Sequence, residues 1–125
     1  MMTIAYWCVM AMILMPYLFN QIAKRGMPID ENRRPREFLK TLEGKAQRAD
    51  WAHRNTLEAL PGFIAAVIIA HLCAADQGKI DVLSATYVVL RLIYGFFYIM
   101  DKHVLRSLCW MCSFACIIML FVISA

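Results

Sequence analysis

Four long apolar runs, separated by charged breaks, constrain this chain more than any other feature. The runs cover roughly Thr3–Ala23, Trp51–Ala75, Val82–Met100 and Val104–Ala125. A helix needs about 20 mainly apolar residues to cross the hydrocarbon core of a bilayer. The chain has 125 residues, so four crossings leave little over. Composition agrees: 62% of residues are hydrophobic and 18% charged, and the mean hydropathy is +0.58. Soluble domains run about 45–50% apolar and about 25% charged. Disorder is excluded by the apolar fraction. A transmembrane barrel is excluded because its strands would alternate apolar and polar residues. The expected fold is therefore an all-α membrane protein: one domain over 1–125, a bundle of four transmembrane helices, with 24–50 as a cytoplasmic loop.

The loops set direction and neighbours. The turns at Asp76–Asp81 and Asp101–His103 are short, which makes consecutive helices antiparallel. The loop 24–50 is long and contains Met27-Pro28 and Arg34-Pro35, where each proline disfavours helix at the preceding residue. The stretch Arg36–Asp50 is read as loop or as a downward helical extension of the second span. Of 13 Lys and Arg, nine fall between Lys24 and Arg54: Lys24, Arg25, Arg33, Arg34, Arg36, Lys40, Lys45, Arg48 and Arg54. The positive-inside rule puts this loop in the cytoplasm and both termini on the other side. Positive charge follows the first apolar run instead of preceding it, so that run is read as a retained helix and not a secretory signal. The net charge of +4 is crowded between membrane spans and does not point to nucleic acid.

Cys109, Cys112 and Cys116 have spacings that invite a metal or cluster reading. They follow the outer face of one apolar helix without a fourth partner, and are read as small hydrophobes. No metal site is expected. His71 is read as a hydrogen-bonded core or interface residue and His103 as a solvated one.

Ionisable groups inside a span are costly and mark function. Helix two opens with Arg48, Arg54, Asn55 and Glu58. Asn55 and Glu58 are three apart and share a face; Arg54 and Glu58 are four apart and can pair. Pro61 removes a backbone donor and frees the carbonyl of Leu57. Helix three carries Arg91, Tyr94 and Tyr98 on one stripe, and antiparallel packing predicts an Arg91–Glu58 contact. Arg106 and Ser107 open helix four. This pocket has more guanidinium than carboxylate. Buried unpaired charge is expensive, and arginine forks match carboxylates. The implied ligand is a small, mainly anionic molecule that also bears an amine.

The run Arg48-Ala49-Asp50-Trp51-Ala52-His53-Arg54-Asn55-Thr56-Leu57-Glu58-Ala59-Leu60-Pro61 resembles the signature of the MAPEG family, membrane-associated proteins of eicosanoid and glutathione metabolism. Arg91-x-x-Tyr94-x-x-x-Tyr98 and Arg106-Ser107 resemble that family's third-to-fourth helix region, and the short length resembles its bacterial members of microsomal glutathione transferase type. The resemblance implies a homotrimer in the bacterial inner membrane, with glutathione as cosubstrate bound between protomers and a lipophilic small molecule arriving through the membrane lipid. It implies a glutathione transferase or peroxidase acting on lipophilic electrophiles or lipid hydroperoxides. Arg48, Arg54, Asn55, Glu58, Arg91, Tyr94 and Tyr98 would hold glutathione. Arg106 would stabilise its thiolate, with Ser107 as hydrogen-bond donor. At position 51 the chain has Trp51, where several eukaryotic members have arginine.

The alternative is a non-catalytic module of the same fold that binds a lipid or small anionic metabolite. A third reading is a small exporter using one membrane glutamate. The arginines around Glu58 argue against it, because they would neutralise a proton or cation carrier.

Overall fold

A computed structural model describes all residues, 1–125. Its four long helices are α1 (Ile4–Ala23), α3 (Gly44–Leu72), α4 (Gln77–Ile99) and α5 (His103–Val122); the short α2 (Pro35–Lys40) lies between the first two. Each long helix is long and apolar enough to cross a membrane.

The core follows the helical period. Ala5, Cys8, Met12, Met15 and Phe19 form one stripe of α1, and Ile80, Ser84, Tyr87, Arg91 and Tyr94 form one stripe of α4. Steps of three and four residues keep such positions on one face. α1 packs against α3 and α4, while α5 lies outside against α4 and α3. α5 buries only Ser113, Cys116 and Leu120. Two close contacts fix the helix rotations. The rings of Phe63 on α3 and Tyr87 on α4 stack with centroids 4.2 Å apart. Gly95 on α4 lets α1 approach, because a Cβ there would fall on the Phe19 ring.

Two prolines lie inside helices, Pro16 in α1 and Pro61 in α3. Pro16 in α1 has no N–H to donate, and its carbonyl accepts from Nδ1 of His53 at 2.7 Å, tying α1 to α3. At the opposite end of the bundle Thr3 caps α1 and lies 3.2 Å from Nε2 of His71. The His71 ring stacks on Tyr6, so His71 sits at a helix interface as expected from the sequence.

The turns after α3 and α4 share one solution. Ala74 (φ 53°) and Asp101 (φ 60°) adopt the left-handed conformation. Beyond them Ala75 N–H reaches the Ala70 carbonyl and Lys102 N–H the Phe97 carbonyl. These are Schellman caps, built here without glycine.

The long polar segment is more structured than a plain loop. It holds a 3-10 turn at Ile29–Arg33 and the helix α2, which starts at Pro35. α3 then begins at Gly44, so residues 44–50 continue the second span downward while 24–43 remain the connection.

Candidate functional site

Arg91 is the most constrained ionisable side chain in the bundle. It is 1% exposed. Its Nη2 donates to Asn55 Oδ1 at 2.9 Å and to Thr56 Oγ1 at 3.2 Å. Thr56 Oγ1 in turn donates a hydrogen bond to the Ala52 carbonyl at 2.7 Å. The guanidinium also lies 4.2 Å from the centroid of the Tyr94 ring, a cation–π contact. Nε of Arg91 is buried without a partner. A guanidinium only donates, so the Arg91 bond fixes the orientation of Asn55. The amide NH2 group of Asn55 is left to face elsewhere.

The expected Arg91–Glu58 contact is not formed: Glu58 makes no ion pair, and Nη2 of Arg91 bonds Asn55 and Thr56 instead. The reason is rotation. Glu58 lies two positions beyond Thr56, or about 200° around the helix. Thr56 is therefore buried against α4, while Glu58 is exposed and stands at the wall of a cavity that Arg91 also lines. The expected Arg54–Glu58 pairing is also replaced. Arg54 Nε donates to Asp50 Oδ2 at 2.9 Å. The Asp50 side chain is 5% exposed, and a buried carboxylate needs a cation more than an exposed one does.

Arg48 is placed apart from the others. Its Nε donates to the Ile99 carbonyl at 3.0 Å, satisfying one of the orphan acceptors at the end of α4. It lines none of the cavities described next.

Three cavities adjoin at Asn55. One, of about 300 Å³, lies between α3, α4 and α5 and is lined by Asn55, Glu58, Gly62, Tyr87, Arg91, Trp110, Ser113 and Phe114, among others. The second, about 410 Å³, is bordered by Asn55, Tyr94, Tyr98, Arg106, Ser107, Trp110 and Met111. The third, about 440 Å³, is bordered by Trp51, Arg54, Asn55, Glu58 and Tyr98. The Arg106 guanidinium lies 4.4 Å from the Tyr98 ring centroid and pairs with no carboxylate. Tyr94 and Tyr98 meet edge to face at 5.6 Å. Of the nine residues singled out in the sequence, eight therefore border these linked cavities and Arg48 does not.

The cavities have one chemical character. Two arginines, Arg91 and Arg106, have no acidic partner, and one carboxylate, Glu58, has no basic one. Such a set is complementary in charge to a molecule carrying both carboxylate and ammonium groups. The rings of Trp110 and Phe114, stacked at 5.5 Å, add an apolar wall.

Sequence reasoning passed over Thr56, Tyr87 and Trp110. Thr56 and Tyr87 were within reach. Thr56 stands four after Ala52 on the buried stripe, and Tyr87 stands four before Arg91. Its hydroxyl is buried without a partner. Trp110 sits on an otherwise apolar run, where nothing in the pattern separates a wall of the site from a lipid-facing ring.

The model of the MAPEG family matches residues 4–125, nearly the whole chain. No curated protein and no solved structure matches it.

Proposed function

The chain belongs to the MAPEG family and is an integral multi-pass membrane protein, and from that premise we propose that its linked cavities bind glutathione and activate its thiol. Members of the family generally use glutathione as cosubstrate and are typically membrane-embedded trimers. The observation that carries the proposal is the mismatch of charges around Asn55: arginines without carboxylates on one side and Glu58 without a base on the other. Glutathione has two carboxylates, one ammonium and a thiol, which is the complement.

The residues divide the work as follows. Arg54 and Arg91 hold carboxylates by paired N–H donors. Asn55 is oriented by Arg91 and offers its amide NH2 group to a peptide carbonyl. Glu58 takes the ammonium. Tyr94 and Tyr98 keep the guanidinium groups of Arg91 and Arg106 in place through their ring faces. Arg106 stabilises the thiolate, because adjacent positive charge favours the ionised thiol. Ser107, which borders the same cavity, donates a hydrogen bond to the sulfur. The sulfur then attacks a lipophilic electrophile, forming an S–C bond as a leaving group departs or a double bond takes the electron pair. Alternatively it attacks a hydroperoxide, whose O–O bond breaks to release the alcohol and leave a sulfenic acid, which a second glutathione converts to the disulfide and water. Either substrate reaches the Trp110–Phe114 wall from the lipid. The protein supplies no nucleophile of its own.

Exposed Glu58 supports a homotrimer in which a second protomer closes the cavities. The basic 24–43 connection supports a cytoplasmic site and both termini on the far side.

Calorimetric titration of the detergent-solubilised protein with glutathione tests binding, and ultraviolet difference absorbance reports the thiolate. Binding with a thiolate signal that is lost in Arg106→Ala is the expected result. Binding without that signal would reduce the protein to a non-catalytic module, and no binding would refute the ligand.

A further inference from the structure

We propose that the surface formed by Arg33, Arg34 and Arg36 is a docking site for anionic phospholipid headgroups of the adjoining leaflet. The inference is independent of the glutathione site.

The first observation is depth. A small second core joins Ala23, Leu42 and Ala49, with Phe38, Leu39 and Ile99 packed around it. α1 ends at Ala23 and α4 at Ile99. The helix α2 is thus pinned under the level at which two apolar spans stop. The polar headgroup layer begins there and is about 5–8 Å thick. The segment is held in the layer where headgroups lie.

The second observation is charge. Arg33, Arg34 and Arg36 are all exposed, and none takes part in an ion pair. Glu37, the nearest carboxylate in sequence, is already engaged by Lys40 at 3.0 Å. Arg34, Pro35, Arg36 and Glu37 border an open notch of about 530 Å³. Guanidinium groups match phosphate oxygens in a bidentate way. Asp30 and Glu31 belong to the preceding turn, but basic residues still outnumber acidic ones across 24–45.

The third observation is apolar. Ile29, at the start of the same turn, is 92% exposed. A bare isoleucine beside a basic patch fits insertion at the boundary between headgroups and acyl chains. A free anion in solution would have no use for it, which commits the site to a lipid.

The test compares mixed micelles of phosphatidylglycerol with micelles of phosphatidylcholine. Lipid retained on the intact protein is read by native mass spectrometry and by the thermal midpoint. The wild-type protein should prefer phosphatidylglycerol, and the preference should shrink as salt is raised. Near a membrane surface each basic residue contributes about fivefold, so Arg33→Gln/Arg34→Gln/Arg36→Gln should lose about a hundredfold of the preference. Ile29→Ser should weaken retention of both lipids and leave the ratio unchanged. The proposal fails if the triple variant keeps the full preference, or if wild type shows none. It also fails if millimolar inorganic phosphate alone shifts the midpoint as phosphatidylglycerol does. Because these arginines are exposed, their replacement leaves helix content intact, and circular dichroism checks that.

Discussion

Gly95→Ala should destabilise the bundle even though it improves helix propensity. In a helix interior Ala is favoured over Gly by about 0.8–1 kcal/mol. Here the added methyl would land on the Phe19 ring, within reach of Cζ, Cε1 and Cε2. Phe19 is 2% exposed, so the ring has nowhere to swing. Forcing an extra methyl into a packed core costs about 1–3 kcal/mol. Because the contact is closer than any Cβ tolerates, the upper end applies, and the net loss should be about 1–2 kcal/mol. The removal of the ring isolates the cause. Phe19→Ala alone costs about 3–5 kcal/mol, but in that background Gly95→Ala should become neutral or stabilising. The coupling between the two sites should then be about 2–3 kcal/mol. Denaturant unfolding in mixed micelles, followed by circular dichroism, supplies all four corners of the cycle. An equal cost for Gly95→Ala with and without the Phe19 ring would refute the reasoning, since the penalty would then not come from the α1–α4 approach.

The same unfolding assay checks four further changes, one of them with a binding readout. Ala74→Gly and Asp101→Gly should each stabilise by about 0.5–1 kcal/mol, because a left-handed conformation costs a non-glycine residue about 1–2 kcal/mol; the gains should add. Thr56→Val should cost about 1–2 kcal/mol by removing one acceptor from buried Arg91, with little change in side-chain volume. Asp50→Asn should change stability by less than about 1 kcal/mol, because Arg54 is largely exposed. It should nevertheless weaken glutathione binding about fivefold, because a released Arg54 turns to Glu58 and competes for it; calorimetry decides.

What the sequence made legible is what depends on one helix at a time. The four spans follow from apolar length. The Arg91–Tyr94–Tyr98 stripe follows from steps of three and four, and the cation–π contact at Tyr94 lies within that single helix. What it hid depends on how two helices are rotated against each other. Arg91 was expected to meet Glu58, and both lie at comparable depth. The stacking of Phe63 on Tyr87 and the packing of Phe19 against Gly95 set the rotation that gives Arg91 to Asn55 and Thr56. Neither contact leaves a periodic trace. Arg48 illustrates the same limit. Its seven-residue offset from Asn55 matches the face, yet the end of α4 arrives at that position and takes its N–H for the Ile99 carbonyl.

Glu58 brings these threads to a decision. Asp50 holds Arg54 and Asn55 holds Arg91, and Arg106 lies over the Tyr98 ring, so within one chain Glu58 forms no ion pair. A charged side chain at the centre of a span costs about 2.5–3.5 kcal/mol, and Glu58 lies about two turns inside the second apolar run. Something must compensate for that cost: either a second copy of the chain or the ammonium of a bound ligand. Glu58→Gln separates them. If a neighbouring protomer supplies the partner, the variant should shift the oligomer distribution in detergent with no glutathione present. If the ammonium is the partner, the oligomer should be unchanged and glutathione affinity should fall, while an analogue lacking the amine binds wild type and variant equally. Mass measurement by light scattering and a pair of calorimetric titrations distinguish the two. A variant unchanged in both would mean that neither compensates the carboxylate, and the charge argument for the ligand would fall with it.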